Sequence, residues 1–134
     1  MTDERVDARV IALVQYPGMT ILDLVGPLQV LTRLELFEPR YRTVVVGERA
    51  EPMDTDVGLR MTPDRTFAEV PHPYAVVVPG GRQATIRAMS DPVLRAYVRT
   101  AAGSAEIVGS VCTGSLVLAA LLRSPSPSGT RRGR

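Results

Sequence analysis

The stretch Ile107-Val108-Gly109-Ser110-Val111-Cys112-Thr113-Gly114 carries a strand-like apolar segment straight into the chain's only cysteine. An apolar, helix-like run from Ser115 to Leu122 follows. A nucleophile at a strand-to-helix junction sits in a sharp, strained turn. That turn tolerates only small side chains two residues to either side, here Ser110 and Gly114. Such an elbow would lift the sulfur out of the sheet to the start of a helix. Unsatisfied N–H groups and the helix dipole there favour the thiolate. The competing reading of a lone cysteine is a buried, inert side chain. The elbow context favours the nucleophile.

Upstream, Val10 to Gln15 is a continuous apolar run, as expected of a strand buried on both faces of a parallel sheet. Tyr16-Pro17-Gly18 is turn chemistry. From Thr20 to about Leu36, apolar residues recur at Ile21, Leu24, Val25, Leu28 and Leu31, a helical spacing. Thr20 is placed to cap this helix, and Gly26-Pro27 predicts a kinked or two-part rod. Tyr41 to Val46 reads as a second strand, and Met53 to Thr62, around Gly58, as a hairpin or extended excursion. Ala75 to Val78 is a short buried strand ending in Pro79-Gly80-Gly81. Gln83 to Ala102 is helical in pattern, with a break at Asp91-Pro92.

Strands alternating with helices predict a doubly wound α/β domain: a mostly parallel, flavodoxin-like sheet with helices on both faces. In such sheets ligands collect beyond the carboxyl ends of the strands. Asp23, Gly80-Gly81 and Cys112 each follow a strand, so the fold brings them to one edge. Read alone, Asp23 is equally a helix-start carboxylate, and Gly80-Gly81 equally an ordinary tight turn. Their convergence is the stronger signal.

Composition narrows the function classes. A chain of 134 residues suits a single domain, and one cysteine excludes an internal disulfide, which fits a reducing cytoplasm. No apolar run approaches a membrane span, so membrane insertion is not expected. The net charge is +2 and every cation is Arg. Arg123, Arg131, Arg132 and Arg134 fall in the last twelve residues; without them the balance is −2, so the body offers no basic nucleic-acid surface. With one His and one Cys there is no metal-ligand cluster, and no cofactor is expected. His72, between Pro71 and Pro73, reads as a solvated loop residue. The expected organisation is an N-terminal tail over 1–8, an α/β domain over 9–122, and a disordered Ser/Pro/Arg tail over 123–134.

Three motifs, Leu22-Asp23-Leu24-Val25-Gly26-Pro27, Val78-Pro79-Gly80-Gly81 and Ser110-Val111-Cys112-Thr113-Gly114-Ser115, resemble the ThiJ/PfpI superfamily of the class I glutamine-amidotransferase-like fold. Among its branches the isonitrile hydratases are the nearest match. The resemblance implies that Cys112 is the nucleophile and Asp23 the general acid/base, with Thr113 orienting a reactant or Asp23. Backbone N–H groups around Gly80, Gly81 and Gly114 would form the substrate and anion-stabilising pocket. It further implies a small-molecule substrate, no cofactor and a homodimer. Relatives continue well past the elbow helix, so the chain is expected to be a truncated or frame-shifted member, its sheet incomplete at the C-terminal end and its activity in question. Similar domains also precede helix-turn-helix regions in AraC-type regulators, which makes a ligand-sensing module the alternative function. A reversibly oxidised cysteine of a stress-response protein is a third.

Overall fold

The computed structural model describes residues 8–111. Nine elements follow one another: β1 (Arg9–Val14), α1 (Ile21–Phe37), β2 (Tyr41–Gly47), β3 (Arg65–Thr66), a 3-10 turn (Phe67–Glu69), β4 (Ala75–Val78), α2 (Arg82–Ser90), α3 (Pro92–Ser104) and β5 (Ile107–Ser110). All strand pairs are parallel, in the order β3-β2-β1-β4-β5. The flavodoxin-like α/β architecture expected from the sequence is therefore present.

Parallel strands need crossover connections, and right-handed crossovers place helices according to the direction in which the chain moves. From β1 the chain moves one way to β2, and from β4 the other way to β5, so α1 and the α2–α3 pair lie on opposite faces. With both faces covered, β4 and all of β1 beyond Arg9 can be apolar: Ile11 to Val14, Ala75, Val76 and Val78 are all buried. Leu24 anchors α1 in this core, with Leu28, Leu31 and Leu34 packed against it; Leu94, Tyr97, Val98 and Ala101 anchor α3. The ring of Phe67 stacks on Tyr97 at 4.2 Å, tying the 3-10 turn to the second helical layer.

Four local expectations meet different outcomes. Asp91-Pro92 does divide two helices: Asp91 caps α3 by accepting from the Val93 and Leu94 N–H groups, and Pro92 occupies the first turn, where its missing N–H costs nothing. The Met53 to Thr62 segment is a hairpin-like excursion, closed by two backbone hydrogen bonds between Met53 and Met61, with Gly58 at φ +82°. The helix from Ile21 is not in two parts, because Pro27 sits inside one continuous rod of 17 residues. Nor does the Thr20 side chain cap it. The Ile21 N–H instead donates to Asp56 Oδ1 at 3.0 Å, so a residue on the excursion supplies the cap that Thr20 was expected to give.

Candidate active site

Between β1 and β4 the chain reverses its direction of winding, and the crevice beyond their carboxyl ends is where this architecture accepts ligands. Two of the expected site segments meet there. Asp23, in the first turn of α1 and half-buried, bonds its own helix end through its backbone N–H, which donates to the Thr20 carbonyl at 3.0 Å, and not through its carboxylate. Its Oδ2 instead accepts from the Gly80 N–H at 3.3 Å, across the crevice. The Gly80 carbonyl accepts from the Thr20 N–H at 2.9 Å. Both polar groups of one buried glycine are thus held by the start of α1.

Gly81 shows why a second small residue follows. A Cβ there would stand 3.0 Å from Met19 Cα and 3.1 Å from the Tyr16 hydroxyl. The β1–α1 loop packs directly on the β4–α2 turn, leaving no room for a side chain. Immediately beyond, Arg82 adopts φ +49°, the left-handed region that L-residues other than Asn and Asp rarely occupy. The turn is therefore tight, and the strain falls on the first residue of α2.

Beneath the turn lies a residue that sequence reasoning passed over. The Tyr16 side chain is almost wholly buried, its hydroxyl donating to the Pro79 carbonyl at 2.7 Å, with Thr85 Oγ1 3.4 Å away. Burial pushes the Tyr16 phenol above its ordinary pKa, the Thr85 hydrogen bond opposes that rise, and the Asp23 charge adds to it. As part of Tyr16-Pro17-Gly18 it read as turn chemistry. The only available clue was an aromatic residue directly after a fully buried strand.

The third segment arrives by register. Val78 pairs with Ser110, and the Val111 N–H donates to the Val78 carbonyl at 3.0 Å, carrying the chain to the same carboxyl edge. Cys112, Thr113 and Gly114 lie outside the described residues. On the flank of the crevice a cleft of about 240 Å³ opens beside Tyr16, bounded by Met53, Phe67 and Leu94; Asp23 and Gly80 are not among its lining residues. His72 is exposed at the opposite end of the sheet, its Nδ1 3.2 Å from Ser104 Oγ. Among the described residues no cluster of His, Cys, Asp and Glu could hold a metal ion, and no helix is long and apolar enough to cross a membrane.

An open parallel α/β domain with a carboxylate and a diglycine turn facing each other at its switch point belongs to the doubly wound class whose ligand crevice lies at the carboxyl ends of its strands. Within that class, the model of the DJ-1/PfpI family matches residues 8–124, and the chain belongs to this family. It is 36% identical over 110 residues to an isonitrile hydratase from Pseudomonas putida, which covers 82% of this chain and 46% of the hydratase. An uncharacterized Streptomyces lividans protein from the cpoL 5′ region is 35% identical over 112 residues, covering 84% of this chain and 78% of that protein. The crystal structure of a ThiJ/PfpI family protein from Pseudomonas syringae superposes with a TM-score of 0.78 at 33% identity, over 85% of this chain and 46% of that one. The chain spans less than half the length of the hydratase and of the crystallised relative.

Proposed function

We propose that the chain carries the reaction centre of a cysteine-dependent lyase that hydrates isonitriles to N-substituted formamides. The observation that carries this reading is the Asp23 carboxylate, which leaves its own helix end to bond Gly80 across the switch point. A carboxylate that only capped α1 would turn back to the N–H groups of its own first turn. The 36% identity to a hydratase supports the same substrate class.

In this scheme the Cys112 thiolate attacks the terminal isonitrile carbon, forming a C–S bond. A soft nucleophile suits that electrophilic carbon. Asp23, as the acid, delivers a proton to the carbon as it gains electron density. Water then adds to the resulting thioimidate carbon; one of its protons restores Asp23, the other passes to the nitrogen, and the C–S bond breaks as the carbonyl forms. One isonitrile and one water become one formamide, with the thiolate and the acid restored. Thr113 orients the reactant or Asp23, while Gly80, Gly81 and Gly114 line the pocket. No cofactor is needed, since water is the only co-reactant. The lone cysteine fits a cytoplasmic setting. A homodimer is part of the proposal, favoured by the large apolar side chains that α1 leaves exposed, Leu22, Val30, Leu36 and Phe37.

The test is formamide production from a simple alkyl isonitrile by the wild type, Cys112→Ala and Asp23→Asn. Turnover should vanish with Cys112→Ala and fall by about 10²–10⁴-fold with Asp23→Asn, the usual contribution of a positioned acid/base. Equal turnover by wild type and Cys112→Ala would falsify the mechanism.

A further inference from the structure

We propose that Tyr16 is a positioning residue for this site: its hydroxyl holds and polarises the Pro79–Gly80 peptide, and through that peptide fixes the carboxylate of Asp23. The inference rests on the reading of Asp23 as the acid/base, and it adds a residue outside the three motifs. The Pro79 carbonyl and the Gly80 N–H belong to one peptide unit, and none of the described peptide bonds is cis. They therefore point in opposite directions from one planar group. Tyr16 binds one end of that group at 2.7 Å, and Asp23 binds the other at 3.3 Å.

Proton directions follow from donor inventory. A carbonyl only accepts, so the single Tyr16 proton goes to Pro79, and the contact with Thr85 Oγ1 at 3.4 Å has the threonine as donor. Hydroxyl, hydroxyl, peptide and carboxylate thus form one directional chain from α2 to α1. In a low-dielectric setting each donor in such a chain strengthens the next. Pulling electron density onto the Pro79 oxygen makes the Gly80 N–H a stronger donor to Asp23. Burial favours the neutral phenol, so the donor keeps its proton. The packing of Tyr16 beneath Gly81 fixes the same turn sterically.

The experiment is amide NMR and hydrogen exchange on the full chain, comparing wild type with Tyr16→Phe and Thr85→Val. In Tyr16→Phe the Gly80 amide proton should move upfield and exchange about fivefold faster, the scale of one ordinary hydrogen bond. The Val93 and Leu94 amides capped by Asp91 serve as the reference, because a general loss of stability speeds them equally. Thr85→Val should move the Gly80 resonance in the same direction by less, and that variant decides the matter should Tyr16→Phe not fold. An unmoved Gly80 resonance, or a Gly80 exchange change no larger than that of the reference amides, overturns the proposal. Kinetics separate it from the function itself. Loss of kcat at constant KM in Tyr16→Phe supports the positioning role. A shifted Gly80 resonance in a chain with no isonitrile turnover sinks the hydratase reading and leaves the Tyr16 linkage standing.

Discussion

Asp23 sits where a carboxylate would ordinarily serve its own helix, yet it spends its hydrogen bond on a neighbouring turn while Asp56 takes the helix end. This division of labour leaves Asp23 within reach of whatever occupies the crevice. The turn it grips tolerates almost no added bulk. Gly81→Ala would place a methyl 3.0 Å from Met19 Cα, a backbone atom that cannot swing aside. The expected cost is about 1–3 kcal/mol, read as a lower denaturant midpoint at unchanged m. Arg82 works the other way. Its φ of +49° costs a non-glycine residue roughly 1–2 kcal/mol, and Arg82→Gly should recover part of that, about 0.5–1 kcal/mol after the entropy of glycine in the unfolded chain. A lower melting temperature for Arg82→Gly would mean that its side chain makes contacts outweighing the strain.

Among the elements, α3 offers the cleanest tests. Asp91 satisfies two of its free N–H groups, at 2.9 and 3.2 Å, so Asp91→Ala should lose about 1 kcal/mol by urea denaturation. Further along the helix, burial pushes the Tyr97 phenol up to about 12 from an ordinary 10.0. The folded chain therefore keeps a proton that the unfolded chain gives up first. This contribution is complete below pH 10.0 and drains away as pH climbs towards about 12. Denaturant midpoints across that window should fall in the wild type and fall less steeply in Tyr97→Phe. The start of α3 was legible in the sequence because Asp-Pro is a local signal, a cap and a first-turn residue side by side. The strands were legible because parallel pairing demands unbroken apolar runs. Asp23 and Gly80 were legible as members of motifs. What stayed hidden depended on partners distant in sequence. β3 is two residues long and exists only through pairing with Val46 and Gly47. The cap from Asp56 comes from another element altogether. Tyr16 gains its meaning from a carbonyl 63 residues away.

For the molecule as a whole, the uneven covering of apolar surface matters most. On α1, Leu36 and Phe37 are 75% and 80% exposed, and Leu22 and Val30 are exposed as well. The homodimer proposed above would cover these side chains, so Val30→Glu combined with Leu36→Glu should lower the sedimenting mass towards that of one chain. An unchanged mass places the association elsewhere. At the far end, β5 pairs with β4 alone and leaves Ile107 and Val108 exposed among the described residues.

The sheet is also assembled out of order, and this bears on how the chain reaches its native form. β1 precedes every other strand, yet it lies in the middle, with Ile11 facing Thr43 on one side and Ala75 on the other. Parallel pairings across such separations close slowly. Ala75 comes sixty-four positions after Ile11, and all of that chain must be made before the innermost strand gains its second neighbour. Until then the apolar run from Val10 to Val14 stays unshielded, a natural handle for chaperones during synthesis.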